Sequence, residues 1–376
     1  MMMSLFFLTL FFLLILAIDF FPDFWIWQSR IKIGRYTNQK EWQKKILEKS
    51  LSWLNVMPKT KVKDENKLIV LDILNNKYTN KTLQSWQEAS LLLGLNKAYQ
   101  KNENPKIKYE ILKFVNSKID KQGNWIVEPK EVDTALLAFA ISEVSFIDEK
   151  CKKPALDYIY TLLKSKIGAD GTIMYRAATQ NFRYVDTVGF VCPFLTKYGL
   201  EFEQEEAVDL AISQIKYFEK FGLLDNKIPS HAYEIHTKNP VGIFGWGRGV
   251  AWFIIGVLET YKQLPDNHQE KKYLQNILSD LAKTLKKYQK ENGSFSWNIF
   301  LTDDRSDSSA TAVFAWLFKE INYNEEAIKA LNYLKSVTRR NGAIDFSQGD
   351  TKAIGVYSQN FDILPFTQGF VLKTLY

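Results

Sequence analysis

Two aspartates that share a short sequence context are candidates for acid–base chemistry. Asp133 lies in "EVDTALLAFAIS" and Asp186 in "YVDTVGFVCPFL", so each acid precedes a run that is almost wholly apolar. Burial of an ionised carboxylate among apolar side chains is unfavourable unless the charge is paired or the group takes up a proton. A carboxyl group that keeps its proton near neutral pH is what general acid catalysis requires. The pattern therefore indicates carboxyl groups that line a pocket.

A structural role is the alternative for either aspartate alone. Asp is among the best N-cap residues of helices, and both acids stand where a helical pattern begins. The recurrence of "VDT" at Asp133 and Asp186 favours a pocket over two unrelated caps. Asp307, in "DSSATAVF", is better explained as a cap or as a hydrogen-bond acceptor between helices.

Arg248 is the basic residue that most strongly indicates ligand binding. It stands between Gly247 and Gly249 in "GWGRGVAW", with Trp246 and Trp252 close by. Glycines let the backbone approach a ligand closely. A guanidinium flanked by aromatic rings suits an anionic, ring-shaped ligand, because it binds a carboxylate in bidentate fashion and stacks on flat surfaces. A structural ion pair with one of the aspartates is the alternative.

His231 and Trp125 are further candidates for a sugar-binding pocket. His231 lies in "SHAYE", in a long loop that leads into an apolar helix. Trp125 follows the turn glycine of "QGNW" and is expected to offer a flat platform for a sugar ring, although core packing is the commoner role of Trp.

Twelve helices are predicted to position these residues. Apolar residues recur at i, i+3, i+4 and i+7 along most of the chain after residue 37. Turns that set Gly beside Asn, Asp or Gln separate the segments, and six helical hairpins of this kind close into an (α/α)6 toroid. The predicted helices are 39–56, 81–100, 104–119, 131–146, 152–167, 183–199, 204–221, 247–263, 269–290, 307–322, 325–338 and 363–376.

The predicted helices alternate between two compositions. Every second one, starting with the second, is apolar on nearly all sides, as expected for an inner ring, whereas the others are amphipathic and carry most of the Lys and Glu. All inner helices of a toroid begin on the same face. The residues at the starts of these helices, Asp133, Asp186, Trp246, Arg248 and Asp307, are therefore expected to converge on the mouth of one funnel, into which the long loops lead.

Composition excludes several other classes of site. The chain of 376 residues carries 49 Lys and Arg against 42 Asp and Glu, a formal net charge of +7. The basic residues are scattered Lys on predicted outer faces, which indicates a solvated surface; an acidic ligand is the alternative, and no nucleic-acid-binding motif is present. With Cys151 and Cys192 as the only cysteines and three histidines in the chain, neither a disulfide framework nor a structural metal site is expected.

The N-terminus differs from the rest of the chain. Residues 1–20 are predicted to be a hydrophobic membrane anchor, since the first 18 carry no charged side chain. Aromatic and basic residues follow in a juxtamembrane segment, 21–37, and 38–376 form the predicted (α/α)6 catalytic domain. The basic residues after the anchor favour a cytoplasmic location for that domain. An export signal, which would place it in the periplasm, is the alternative.

The ordered set of motifs resembles the unsaturated uronyl hydrolases of glycoside hydrolase families 88 and 105, which include unsaturated glucuronyl and rhamnogalacturonyl hydrolases. The resemblance covers about residues 80–376 and rests on "VDTVGFVCPFLTKYG", "SHAYE", "GWGRGVAW", "DSSATAVFAW" and "TQGFVLKTL". It implies the same (α/α)6 fold. It also implies that Asp186 is the catalytic acid, that Asp133 is the second pocket aspartate, and that His231, Trp246 and Arg248 face the substrate.

One departure from the family pattern lies next to Arg248. The family usually continues with Asn-Gly-Trp, whereas this chain has Val250-Ala251-Trp252. The departure leaves the identity of the substrate open.

The resemblance implies hydration of an alkene. The substrate would be an anionic oligosaccharide with a C4=C5 double bond in its non-reducing uronic acid. Asp186 would protonate C4, water would add at C5, and the hemiketal would open and expel the aglycone. This reaction would require no metal or organic cofactor. Two alternatives remain: a non-catalytic, membrane-tethered module that binds polysaccharide or a partner protein, and another carbohydrate enzyme on this fold, such as a lyase, an epimerase or an ordinary glycosidase. Nothing in the sequence indicates an oligomeric state.

Overall fold

The computed structural model describes residues 2–58, 68–74 and 84–376, and these are mostly helical. The helices are α1 (Met2–Arg30), α2 (Gln39–Asn55), α3 (Ile69–Leu74), α4 (Ser85–Asn102), α5 (Pro105–Asn116), α6 (Thr134–Ser142), α7 (Glu149–Lys164), α8 (Val185–Glu201), α9 (Glu205–Gly222), α10 (Gly247–Gln263), α11 (Lys271–Tyr288), α12 (Ser308–Glu320), α13 (Asn324–Ser336) and α14 (Pro365–Leu375). The strands are β1 (Phe182–Tyr184), β2 (Ser230–Glu234), β3 (Pro240–Phe244), β4 (Ser347–Gln348) and β5 (Phe361–Asp362).

Six helices form a closed inner ring. Each of α4, α6, α8, α10, α12 and α14 packs against the one before it and the one after it, and α14 returns to α4. The remaining helices of the repeat, α2, α5, α7, α9, α11 and α13, pack outside this ring. The twelve predicted helices are thus present, although the first residues of the second, 81–83, lie outside the described part of the chain.

The two compositions correspond to two patterns of burial. All residues of the inner helix α6 are buried, because it packs against neighbours on every side. The outer helix α11 buries one stripe with helical spacing, which includes Leu274, Ile277, Leu278 and Leu281. The ring closes through direct backbone contact, since a Cβ atom on Gly94 of α4 would lie 2.2 Å from the carbonyl oxygen of Gly369 in α14.

Short strands replace part of what the sequence predicted to be a loop. The segment around "SHAYE" forms β2, which pairs antiparallel with β1 on one side and with β3 on the other. Backbone hydrogen bonds that an irregular loop would leave to solvent are thereby satisfied within a sheet. β1 runs directly into α8 and β3 ends just before α10, so the sheet fixes where these two inner helices begin.

The first helix, α1, extends through Arg30, beyond the predicted anchor at 1–20. Its residues Met2–Phe21 have a mean hydropathy of 2.5 and only 6% of this stretch is buried, so it is long and apolar enough to cross a membrane; a signal sequence has the same properties. Two nitrogens of the Arg30 guanidinium donate to the carboxylate of Asp345. Nε lies 2.5 Å from Oδ2 and Nη2 lies 2.9 Å from Oδ1. This ion pair joins the end of α1 to the helical domain.

Candidate active site

Asp186 lies in the first turn of α8, at the point where β1 ends. The N-cap residue of α8 is Tyr184, so the capping role considered for Asp186 is not the one it has. Its Oδ2 atom is buried and has no hydrogen-bond partner among the described residues, while 17% of the side-chain surface is exposed, toward a pocket that it lines. The side chain is therefore available to a ligand.

The environment of Asp186 favours its protonated form. Burial raises the pKa of Asp186 to about 7; its own backbone N–H and the charge of Arg248 act against this rise, and the charge of Asp350 adds to it. The resemblance implies that Asp133 is the second pocket aspartate, whereas in the structure the carboxylate whose charge raises the pKa of Asp186 is Asp350. A large fraction of Asp186 is thus protonated at neutral pH, as a proton donor requires.

His231 faces Asp186 from β2. Its Nε2 atom lies 3.8 Å from Oδ2 of Asp186, and its Nδ1 atom lies 3.2 Å from the hydroxyl of Tyr357. Burial, with a smaller effect of Arg248, lowers the pKa of His231 to about 4. The imidazole is therefore neutral at pH 7. The separation from Asp186 is longer than a direct hydrogen bond.

Arg248 lies in the first turn of α10, is 1% exposed, and lines the same pocket. It donates to the backbone carbonyls of Gln348 and Gly349 and packs against the Trp246 ring, 5.4 Å from the ring centroid. The Trp246 indole N–H donates to Oε1 of Gln348 at 2.9 Å. Among the described residues no aspartate pairs with Arg248, so the alternative of a structural ion pair is wrong. Arg248 instead holds the segment that follows β4.

Trp252 forms the apolar base of the pocket. The side chain is 1% exposed and its ring centroid lies 4.6 Å from that of Phe190 and 5.0 Å from that of Phe366. It lines the pocket together with Trp246 and with Trp86 from α4. These rings give the pocket an apolar lining.

Asp133 lines a second, adjoining cavity rather than the pocket of Asp186. Although Asp133 occupies the N-cap position of α6, its side chain makes no capping hydrogen bond. Burial and the neighbouring charge of Glu131 raise the pKa of Asp133 to about 6. Hydrogen bonds from the backbone of Trp86 and from its own N–H lower this pKa, but by less. Both acids are thus buried with raised pKa values, but they line different cavities.

Tyr175 and Arg176, together with Gln84, line both cavities. Trp125 lies on the side of Asp133, where its indole N–H donates to the carbonyl of Ala155 at 2.8 Å. The predicted sugar platform at Trp125 therefore belongs to the adjoining cavity. A ligand that contacts both Asp133 and Asp186 has to occupy both cavities.

Several residues of the pocket were missed in the sequence. Arg176 comes from the segment before β1, and Asp350 and Lys352 come from the segment between β4 and β5. The side-chain amide of Gln84, the residue before α4, donates to Asp350 Oδ2 at 3.1 Å. This hydrogen bond joins the start of α4 to the segment between β4 and β5. Their position in the chain is the feature that could have identified them, because each lies in a connection that leads into an inner helix.

Asp307 has the structural role that the sequence indicated. Its Oδ1 atom accepts hydrogen bonds from the backbone N–H of Ser309, at 2.8 Å, and of Gln348, at 3.0 Å. It therefore caps α12 and links this helix to β4. Within the described ranges, no group of three or more His, Cys, Asp or Glu side chains is placed to hold a metal ion.

Comparison with known proteins connects this arrangement to carbohydrate enzymes. The sequence profile of Glycosyl Hydrolase Family 88 matches residues 53–372. A structure from Klebsiella pneumoniae, a possible member of family GH105, matches with a TM-score of 0.75 and 16% identity over 91% of this chain and 93% of that chain. The unsaturated glucuronyl hydrolase of Bacillus sp. GL1, responsible for the degradation of glycosaminoglycan, matches with a TM-score of 0.66 and 15% identity over 88% of this chain and 94% of that chain. A polysaccharide lyase matches with a TM-score of 0.60 and 15% identity over 88% of this chain and 96% of that chain.

Proposed function

The chain belongs to glycosyl hydrolase family 88, and from this membership we propose that it hydrolyses oligosaccharides with an unsaturated glucuronyl or galacturonyl residue at the non-reducing end. The observation that carries the proposal is the state of Asp186, a carboxyl group that lines the pocket and has a pKa of about 7 and an unpartnered Oδ2 atom. This supports a proton donor that acts on the C4=C5 double bond of the substrate.

The chemistry starts with the transfer of the Asp186 proton to C4. The positive charge that remains is shared by C5 and the ring oxygen. Water adds at C5 and gives a proton back to the Asp186 carboxylate, so the acid is regenerated. The resulting hemiketal opens to a ketone at C5, which frees a hemiacetal at C1, and the hemiacetal expels the aglycone as an alcohol. One water molecule is consumed in each turnover.

Positive charge at the pocket rim supports an anionic substrate. Arg176 and Lys352, both exposed, line the pocket, and Arg248 contributes a buried positive charge. Because Arg248 already donates to two backbone carbonyls, we assign direct contact with the uronate to Arg176 and Lys352. His231, neutral at pH 7, is available to hydrogen-bond a sugar hydroxyl.

Asp133 and Trp125 are assigned to the neighbouring sugar of the substrate. Both line the adjoining cavity, which opens beside the pocket of Asp186. In this assignment Asp133 supports catalysis by positioning the substrate, and Trp125 gives a flat face for the next ring.

An assay with two substrates tests the reaction against its alternatives. The full-length protein in detergent is incubated with lyase-generated unsaturated disaccharides, and the alkene absorbance is followed. A loss of absorbance supports the hydrolase. A gain of absorbance with an intact uronic-acid polysaccharide would identify a lyase instead, and binding without any change would identify a non-catalytic module.

We also propose that residues 1–20 anchor the domain formed by 38–376 to a membrane, with the domain on the cytoplasmic side. The support is the exposed apolar stretch Met2–Phe21 followed by Arg30, Lys32 and Arg35. Sequencing the N-terminus of the mature protein from separated cell fractions tests this. A chain that retains residue 2 in the membrane fraction supports an anchor, whereas a soluble chain that begins near residue 20 would identify a signal sequence.

A further inference from the structure

The short helix α3 packs beside α1 and donates a backbone hydrogen bond to the carboxylate of Asp19 on α1. Asp19 is the single charged side chain among residues 1–21, and it is 6% exposed although the helix around it is largely exposed. Its Oδ1 atom accepts a hydrogen bond from the backbone N–H of Val70, at 2.9 Å. α3 therefore lies at the C-terminal edge of the apolar stretch of α1, where a membrane span would leave the hydrocarbon.

Exposed leucines recur along α3. Leu71 and Leu74 of this helix and Leu68, which directly precedes it, are 48%, 73% and 38% exposed and recur every third residue, so they share one side. On α1, Phe20 and Phe24 nearby are 57% and 48% exposed. Exposed apolar side chains on two contacting helices form a surface that soluble proteins normally avoid.

We propose that α3 is a second lipid-contacting element, whose leucines insert into the same leaflet as the C-terminal end of the α1 span. The occupant of this surface is a lipid bilayer, because the surface adjoins a stretch of 20 residues that is long and apolar enough to cross one and is only 6% buried. The inference rests on the proposal that α1 lies in a membrane, and it does not depend on the reaction.

Two lipid contacts fix the orientation of the domain, whereas a single helix leaves it free to rotate about the attachment. Arg30 connects α1 to the pocket. Its partner Asp345 lies two residues before the strand β4, which begins at Ser347. Gln348 of β4 accepts from Trp246 and Arg248. The pocket is thus held at a constant position relative to the bilayer surface.

Environment-sensitive labelling of the full chain in vesicles tests the proposal. Cys151, which is exposed, is replaced by Ser, and single cysteines are introduced by Leu71→Cys, Leu74→Cys, Phe12→Cys and Ile328→Cys for labelling with a fluorophore; Cys192 is buried. Ile328, 58% exposed on the outer helix α13, is the control for an apolar position in water. The vesicles contain phosphatidylcholine and phosphatidylglycerol, with or without nitroxide-labelled lipid.

The proposal predicts blue-shifted emission and loss of intensity on quenching by the nitroxide lipid at positions 12, 71 and 74, and neither effect at 328. Quenching at 12 alone, with 71 and 74 behaving like 328, would overturn the role of α3 and leave α1 as the only anchor. Absence of quenching at 12 as well would overturn the anchor and the inference together. Unchanged far-ultraviolet circular dichroism confirms that each labelled variant is folded.

Discussion

The Nε2 atom of His231 lies 3.8 Å from the Oδ2 atom of Asp186, and the surroundings favour the uncharged form of both groups. Burial raises the pKa of Asp186 to about 7 and lowers that of His231 to about 4. Between these values the pair consists of a neutral carboxyl group and a neutral imidazole rather than an ion pair. The proton therefore stays on the carboxyl group, as the proposed protonation of C4 requires.

Activity is expected to fall on the alkaline side as Asp186 loses its proton. With a pKa of about 7, kcat/KM should stay level below pH 6 and decrease about tenfold per pH unit well above 7. Initial rates on an unsaturated disaccharide across this range measure the profile. A profile that rises with pH up to 9 would indicate a general base instead.

Replacement of the acid by an amide separates catalysis from folding. Asp186→Asn keeps the shape of the side chain but cannot donate the proton, so kcat should fall by at least ~10²-fold. Asp307→Asn is the matched control, since Asp307 caps α12 and lies outside the proposed chemistry. Near wild-type kcat in Asp186→Asn would contradict the role of Asp186.

The same substitution should change how stability depends on pH. Because the folded protein holds the Asp186 proton up to a pH of about 7 and the unfolded chain releases it near 4, the native state binds more protons in this interval. Its free energy of unfolding therefore decreases as the pH rises from 4 to 7. Compared with wild type, Asp186→Asn should gain stability across this range, as measured by urea unfolding; a constant difference would argue against a buried, protonated acid.

The charge of Asp350 should influence the pH at which Asp186 loses its proton. Since that charge raises the pKa of Asp186, Asp350→Asn is expected to move the alkaline fall in kcat/KM to lower pH without abolishing activity. Asp280→Asn on α11, with a side chain 52% exposed, is the control for loss of a surface charge. An unshifted profile in Asp350→Asn would leave burial as the cause of the raised pKa.

The junction between α1 and the domain should contribute to stability. Arg30→Gln removes two charge-assisted hydrogen bonds to Asp345, while Arg339 still binds the same carboxylate at 2.7 Å and 2.9 Å. We expect the free energy of unfolding in detergent to fall by about 1–2 kcal/mol. The exposed Arg35, changed to Gln, should have little effect, and equal losses in both variants would mean that the ion pair is unimportant.

The ring of helices was predictable because its signal is compositional. An inner helix such as α6 is apolar on every side, so it must pack against neighbours on every side, as it does in an inner ring. The strands were missed because β1 has three residues and β2 has five, which is too short for an alternating pattern to emerge between long helices.

The separation of Asp133 from Asp186 was hidden by their shared "VDT" context. Asp133 precedes the first residue of α6, whereas Asp186 is the second residue of α8. Successive helical residues differ by about 100° around the axis, so a small offset in where the helix begins directs the side chain into a different cavity. Asp350 and Lys352 were missed for another reason, since their connection has no periodic pattern to reveal its position.

Deuterium incorporation tests the central claim most directly. The reaction is carried out in D2O with an unsaturated disaccharide, and the early product is examined by NMR before exchange next to the new ketone. If Asp186, exchanged with solvent, protonates the alkene, the product carries carbon-bound deuterium at C4. A released uronic acid that keeps its C4=C5 double bond and contains no deuterium at C4 would show direct cleavage at C1 and contradict the mechanism.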